Sequence, residues 1–276
     1  MKISVQELGI RAQQVISHDQ DASVSGVTSR GSFISTRKGS VIFLSGEVYR
    51  GPLTLNLKDK EGIFQRISPG NAIYIRDRNL YFSTCNLFIS TSQAEEWKPD
   101  NPSPHILSPS ERQSQLMEVR NQLFAKSDFS PNRKLENLEK SIHSDDERKI
   151  VSALEPFLGC GTGLTPAGDD LIVGLLLTLN RCGWLLNPGL RPREINLPIV
   201  QAARQKTTAL SSSLIKCAAQ AQADERLILA LDSLMTGTPE KAISIACLRS
   251  YGSSSGTDSL LGMVLALTNT KTDYSG

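Results

Sequence analysis

Two short stretches of the chain combine small residues with acids and lead into apolar segments. Residues 159–170 read GCGTGLTPAGDD, and residues 251–258 read YGSSSGTD. A glycine-rich loop that opens a helix is a common way for backbone N–H groups to hold an anion. Superposing the two stretches pairs four positions: Gly168 with Gly256, Asp170 with Asp258, Gly174 with Gly262 and Leu179 with Leu267. We therefore expect the two stretches to line one site from both sides.

Three acids at these helix openings are the candidate catalytic residues: Asp169, Asp170 and Asp258. In the first turn of a helix they lie near the positive end of its dipole, and a carboxylate there can orient an N–H group or take its proton. Simple helix capping is the alternative, with Thr165 as N-cap and Pro166 as the first helical residue. However, each glycine in residues 159–168 costs roughly 0.5–1 kcal/mol of chain entropy. That cost favours close approach of the backbone to a ligand.

A third polar element, residues 206–213, reads KTTALSSS. If it is helical, Thr207 and Ser211 share a face. Its hydroxyls would then either donate to a ligand carboxylate or carbonyl or bond back to their own helix. The predicted ligand-binding residues are Gly161, Thr162, Gly163, Thr165, Gly168, Thr207, Thr208, Ser211, Ser254, Ser255 and Gly256. We interpret Gly174 and Gly262 as a close helix crossing, which would fix the two helix starts relative to each other.

The composition narrows the class of protein. The chain has 276 residues and a net charge of +2, too near neutral to indicate binding to nucleic acid or to an anionic membrane. Its longest apolar run, residues 171–179, is too short to span a bilayer, so we expect a cytoplasmic protein. The five cysteines are widely spaced and no histidine lies in either loop, which favours reduced thiols and predicts neither a metal site nor a cofactor.

The first hundred residues have the pattern of a small β-barrel or sandwich. A short helix is expected over Ser4–Val15, and the predicted strands are Ser32–Ser35, Ser40–Leu44, Leu53–Leu57, Ile63–Ile67, Ala72–Ile75, Leu80–Ser83 and Leu87–Ser90. Four prolines in residues 98–109 predict a linker. The sequence thus predicts an α+β protein with a β-rich module over residues 1–97, this linker, a helical domain over 110–268 and a frayed tail over 269–276.

Apolar residues recur about one helical turn apart beyond the linker. The predicted helices are Ser110–Ala125, Lys134–His143, Asp145–Leu154, Pro166–Cys182, Pro198–Ala221, Asp224–Met235, Pro239–Leu248 and Thr257–Thr268. The helix from Pro166 is apolar on nearly every face, which predicts a central position in the domain, and we expect Gly183 to end it.

Three motifs in order carry a family resemblance: GxGxGLTPxGDD from Gly159, TTxLS from Thr207 and GxSSGxDxLxG from Gly252. With them the chain resembles the AllH-type family, which is associated with the oxamate carbamoyltransferase of anaerobic allantoin breakdown. The resemblance implies carbamoyl transfer between carbamoyl phosphate and oxamate, giving phosphate and oxalurate, in an assembly with other subunits. The second loop departs from the expected pattern, because Ser253 stands where a histidine would follow the glycine.

Two other functions remain open from the sequence. A binding or scaffold subunit without chemistry would explain why no nucleophile–base pair is recognisable. A Mg²⁺-dependent phosphotransferase would use Asp169, Asp170 and Asp258 as metal ligands, although no nucleotide-binding signature accompanies them.

Overall fold

The structure, a computed structural model, describes residues 1–58, 62–102, 105–124, 133–144, 146–186 and 189–268. The chain divides into two compact units, Met1–Pro99 and Asp100–Gly276. The first is built of β-strands around one apolar core, and the described part of the second contains helices only. The predicted α+β class is therefore confirmed, and the strand module is a barrel. No helix among the described residues is long and apolar enough to cross a membrane.

The first unit contains nine strands and one helix within its described residues. They are β1 (Lys2–Gly9), α1 (Ile10–His18), β2 (Asp21–Val27), β3 (Gly31–Thr36), β4 (Val41–Ser45), β5 (Thr54–Leu57), β6 (Ala72–Arg76), β7 (Asn79–Phe82), β8 (Leu87–Ser90) and β9 (Glu95–Trp97). The hydrogen-bonded order is β5-β4-β3-β2-β6-β7-β8-β1, and β1 pairs with β5 to close an eight-stranded barrel. Strand β9 adds to the second half of β1. Closure leaves few strand edges exposed.

The helix predicted over Ser4–Val15 is only half right. Residues up to Gly9 form β1, and the helix starts at Ile10. Ile3 and Val5 are buried and alternate with exposed neighbours, which is the period of a strand. Ile3 lies opposite Ile89 of β8, and Val5 lies opposite Leu57 of β5. The tertiary pairing that closes the barrel decides the conformation here.

The strand predicted over Ile63–Ile67 is wrong. This segment forms turns, yet Ile63 and Ile67 are both buried in the barrel core. The apolar pattern therefore predicted correctly that these residues are buried, but they belong to an irregular segment and not to a strand. The other six predicted strands are present, each within about a residue of its predicted ends.

The second unit carries nine α-helices in its described residues. They are α2 (Pro109–Phe124), α3 (Arg133–Ile142), α4 (Glu147–Leu154), α5 (Ala167–Leu186), α6 (Pro192–Lys206), α7 (Ala209–Ala218), α8 (Glu225–Thr236), α9 (Lys241–Leu248) and α10 (Ser255–Leu267), with a short 3₁₀ turn at Glu155–Phe157. Residues 98–102 and 105–108 are neither helix nor strand. The tail predicted to fray, residues 269–276, lies outside the described residues.

Two predicted helix boundaries need correction. The helix predicted over Pro198–Ala221 is two helices, because α6 ends at Lys206 and α7 starts at Ala209. Thr207 and Thr208 form the break between them. The helix expected to end before Gly183 continues to Leu186, since Gly183 is buried inside α5 and its small size suits that position.

Helices α5 and α10 cross with their main chains in contact. A Cβ atom on Gly174 would lie 1.8 Å from the carbonyl oxygen of Ser259, and one on Gly262 would lie 2.0 Å from that of Leu171. Gly174 pairs with Gly262 in the repeated pattern, and Leu171 pairs with Ser259, so the contact is reciprocal. The interpretation of these glycines as a close crossing is confirmed, and α5 is fully buried from Leu171 to Leu179 as its central position requires.

We predict that Gly174→Ala destabilises the protein by about 3 kcal/mol or more, because the added methyl group has no space and both helices must shift. Unfolding of the full chain, followed by far-ultraviolet circular dichroism, measures the effect. Gly183→Ala in the same helix is the control. Its Cβ would be 3.8 Å from the nearest side chain, so this change should be neutral or slightly stabilising. Equal stability of the two variants would contradict the crossing.

Candidate functional site

The two predicted loops meet in the second unit. The hydroxyl oxygens of Thr165, just before α5, and Ser255, the first residue of α10, are 3.0 Å apart. Helix α5 begins at Ala167, one residue later than predicted, and Thr165 uses its hydroxyl across the two loops instead of capping its own helix. The openings of α5 and α10 therefore lie side by side.

The first loop has a compact backbone framework. The N–H of Cys160 donates to the carbonyl of Phe157, and the carbonyl of Cys160 accepts from the N–H of Gly168, each at 2.9 Å. A Cβ atom on Gly168 would lie 2.2 Å from the Phe157 oxygen. Gly168, predicted to bind ligand, is thus buried against the preceding helical turn, and its small size serves packing.

The second loop repeats this framework. The N–H of Tyr251 donates to the carbonyl of Leu248 at 2.9 Å, and the carbonyl of Tyr251 accepts from Gly256 at 3.0 Å. A Cβ atom on Gly256 would lie 2.2 Å from the Leu248 oxygen. Gly256, also predicted to bind ligand, therefore has the same packing role as Gly168. The repeated sequence pattern corresponds to a repeated loop-and-helix structure.

Asp169 anchors the first loop. It is 1% exposed, one of its carboxylate oxygens accepts the N–H of Gly159 at 2.8 Å, and the other accepts the hydroxyl of Thr207. Gly159 has a φ of +69° and packs against the carbonyl of Lys206, a position that only glycine fits without strain. Since both oxygens of Asp169 are engaged within the chain, this residue, predicted to be catalytic, is arranged to position the loop.

Residues 206–213, the hydroxyl segment, span the break between α6 and α7. Thr207 and Ser211 therefore do not share a helix face as the sequence had indicated. Thr208 caps α7 by accepting the N–H of Ser211 at 3.0 Å, and it donates to the carbonyl of Leu164 at 2.8 Å. The Ser211 hydroxyl is buried and has no partner among the described residues. Thr207 and Thr208 thus fasten the first loop, and Ser211 keeps its hydroxyl unused.

Asp170 is the acid between the two loops. Its side chain is 1% exposed, and one of its carboxylate oxygens has no hydrogen-bond partner among the described residues. Burial raises its pKa from 3.8 to about 7, the charges of Asp258 and Asp169 raise it too, and hydrogen bonds from Ser255 and Thr165 oppose the shift. At neutral pH the protonated and the ionised forms of Asp170 are therefore both populated.

Asp258 is the matching acid of the second motif. It is buried in the first turn of α10, where its own N–H donates to the carbonyl of Ser254 at 3.0 Å. Its charge acts on Asp170, as two carboxyl groups at adjacent helix openings should. The structure brings these two predicted catalytic acids together.

The tip of the first loop is exposed and has unused donors. Among the described residues, none provides an acceptor for the N–H groups of Gly161, Thr162, Gly163 and Leu164. Gly161 and Gly163 have positive φ values of +123° and +96°. The N–H groups of Ser253 and Ser254 in the second loop are likewise unused within the described chain. Successive free N–H groups of this kind suit an anion.

Sequence reasoning missed a buried polar cluster beside the second loop. Arg226 forms a two-pronged ion pair with Asp224, the N-cap of α8, and its guanidinium lies 5.0 Å from the ring centre of Tyr251. Burial raises the pKa of the Tyr251 phenol well above its usual value, and the charges of Asp224 and Asp170 add to the shift. The available signal was the Asp-x-Arg spacing at the start of a helix, which permits such a pair.

No cluster of three or more His, Cys, Asp or Glu side chains in the described part of the chain is arranged to hold a metal ion. All five cysteines are free thiols, and Cys160 is exposed in the first loop. Of the two basic residues near the hydroxyl segment, Lys206 is paired with Glu155 at 3.0 Å, and Arg204 is exposed.

The family model described as oxamate carbamoyltransferase subunit AllH matches residues 157–267. This span includes both loops, both acids and the helices α5 to α10. The predicted resemblance to the AllH-type family is therefore confirmed over these residues. No solved structure significantly matches the chain.

The titration of Asp170 should be visible in stability. Between pH 3.8 and about 7 the folded chain keeps a proton that the unfolded chain has released, so the free energy of unfolding falls as pH rises through this window. The fall attributable to Asp170 is about 4 kcal/mol for a shift of this size. We predict that Asp170→Asn removes it, so that the variant gains stability relative to the wild type between pH 4 and pH 8.

Denaturant unfolding at several pH values measures this difference. Glu136→Gln, which changes an exposed acid of α3, is the control and should follow the wild-type profile. If Asp170→Asn and the wild type have parallel profiles, Asp170 is already ionised in the folded protein.

Proposed function

We propose that this chain is a subunit of an oxamate carbamoyltransferase-like enzyme and that its paired loops form the small-anion site. The observation that carries the proposal is the meeting of the two helix openings, which puts Asp170, Asp258 and the Thr165–Ser255 hydroxyl pair together. The family match over the same residues supports the reaction class. In this proposal the substrates are carbamoyl phosphate and oxamate, the products are phosphate and oxalurate, and other subunits complete the assembly.

The free N–H groups at the tip of the first loop support phosphate binding there. Backbone donors in a glycine-rich loop can follow a phosphate closely, and the start of α5 adds its positive dipole end. Thr162 lies among these donors and is exposed, so it can contribute its hydroxyl as well. Ser211, Ser254 and Ser255 are the remaining hydroxyls for the substrate carbonyl or carboxylate.

The two acids must have different roles if an anion binds beside them. Two ionised carboxylates next to an anionic substrate would repel it, but a protonated Asp170 donates a hydrogen bond instead. Its raised pKa makes that form available near neutral pH. Environments that separate the titration of two neighbouring acids are a usual basis for acid and base roles.

The chemistry follows from this division. The amide nitrogen of oxamate attacks the carbamoyl carbon, a C–N bond forms, and the C–O bond to phosphate breaks. Asp258 takes the proton that the attacking nitrogen must lose, and Asp170 donates a proton to the departing phosphate oxygen. Asp169 does not transfer a proton in this scheme. It positions the first loop through its hydrogen bonds to Gly159 and Thr207.

We predict that Asp170→Asn and Asp258→Asn each lower the rate of carbamoyl transfer by about 10²-fold or more in the complete assembly, because each removes one proton-transfer group. Glu136→Gln is the matched control and should retain the wild-type rate. Production of oxalurate and phosphate, measured at saturating substrate, reports the rate. Near-normal rates in both aspartate variants would exclude these acids from the mechanism.

A non-catalytic scaffold or ligand-binding subunit is the alternative, favoured by the lack of a nucleophile–base pair. Calorimetric measurement of substrate binding distinguishes this alternative from the proposed carbamoyltransferase subunit. We predict that oxamate binds with uptake of a proton near pH 7, because an anion beside Asp170 raises its pKa further. The apparent binding enthalpy should then depend on the buffer, and Asp170→Asn should abolish that dependence.

Failure of carbamoyl phosphate, phosphate, oxamate and oxalurate to bind, either to the chain or to the assembly, would favour the scaffold.

A Mg²⁺-dependent phosphotransferase is the remaining possibility, with Asp169, Asp170 and Asp258 as ligands. The engagement of both Asp169 oxygens within the chain weighs against it. Activity that survives a chelator would exclude it.

A further inference from the structure

Tyr251 opens the second loop and lies outside the set of residues predicted from the sequence. Its main chain is fixed on both sides, by Leu248 through its N–H and by Gly256 through its carbonyl. Ser255, four residues further along the same loop, forms a hydrogen bond with Thr165 of the first loop. In contrast, the phenol oxygen of Tyr251 has no hydrogen-bond partner among the described residues, so a donor is held in place without a use inside the chain.

Arg226 fixes the ring of Tyr251. It is 3% exposed and pairs with Asp224 through Nε at 2.8 Å and Nη2 at 2.9 Å. Its Nη1 donates to the carbonyl of Ser250 at 3.1 Å, and its guanidinium lies 5.0 Å from the centre of the Tyr251 ring. A cation over an aromatic face favours one ring orientation. The cluster thus joins the start of α8 to the start of the second loop.

The first loop has nothing equivalent. Cys160 occupies the position that Tyr251 occupies in the second loop, as the matched backbone hydrogen bonds establish. Cys160 is exposed, and the first loop is anchored through Asp169 instead. The two halves of the site therefore differ in chemistry: the first has four successive free N–H groups, whereas the second has two, at Ser253 and Ser254, and a fixed aromatic hydroxyl.

We propose that Tyr251 contacts the ligand and donates its phenol hydrogen to a carboxylate or carbonyl oxygen of the acceptor substrate, and that Arg226 is the positioning residue that orients it. This inference rests on the proposed function and assigns the acceptor to the second loop, leaving phosphate to the first. A phenol suits this role because it adds no charge near Asp170, whose own charge acts on the Tyr251 phenol. A short planar carboxylate such as oxamate fits a neutral donor of this kind.

Tyr251→Phe tests the assignment in the complete assembly, because it removes the hydroxyl and keeps the ring against Arg226. The KM for oxamate and the dissociation constant of oxamate should rise about tenfold or more, as for loss of one hydrogen bond to a charged group. Binding of inorganic phosphate and the unfolding temperature should not change. An unchanged KM and dissociation constant for oxamate, with oxamate binding intact in the wild type, would overturn the role of Tyr251 alone.

Arg226→Lys tests the positioning role, since lysine keeps the charge but loses the planar two-pronged pair with Asp224. It should raise the KM for oxamate in the wild-type background and have no further effect in the Tyr251→Phe background. Additive effects in the double variant would overturn positioning through the phenol. If the wild-type assembly binds neither oxamate nor phosphate, the proposed function itself fails and this inference fails with it.

Discussion

The reciprocal main-chain contacts of Gly174 with Ser259 and of Gly262 with Leu171 determine how the two helix openings lie relative to each other. Without side chains at these positions the main chains of α5 and α10 touch, each glycine against a carbonyl of the other helix. Because Leu171 and Ser259, which offer those carbonyls, are also matched positions, the contact has an approximate local twofold relation. The main chain of the two helix openings, about a turn from this contact, is therefore placed by rigid backbone.

This constraint has an electrostatic consequence. Asp170 and Asp258 each precede one of the contacting carbonyl residues, so a close crossing forces two buried acids to share one region. Their repulsion and desolvation oppose folding, and a sequence under selection for stability alone would replace one of them. A buried acid that is costly in this way and whose pKa is raised toward neutrality, as that of Asp170 is, is characteristic of functional sites. For this reason we propose a chemical role for the acids in preference to a capping role.

The features that could be predicted from the sequence are those that the repeated motif specifies through local spacing. Equal spacing of Gly168, Asp170 and Gly174 with their counterparts was enough to predict the paired helix openings and the crossing, and most of the barrel strands followed from their alternation. What depended on distant partners was not predictable. Thr207 bonds Asp169 because the chain breaks between α6 and α7, and β1 is a strand because two remote strands flank it. Neither the break nor the pairing of β1 with these two strands leaves a local pattern, although the two strands themselves were predicted.

The differences between the two repeats are as informative as their likeness. Where the first motif has Asp169, tied down on both oxygens, the second has the exposed Thr257; where the first has Cys160, the second has Tyr251 above the buried ion pair of Arg226. A duplicated structural unit would need only the glycines to keep its crossing. Each loop has its own anchor and its own set of donors, which is why we propose different roles for the two sides in the reaction, the first for a multiply charged anion and the second for a planar acceptor.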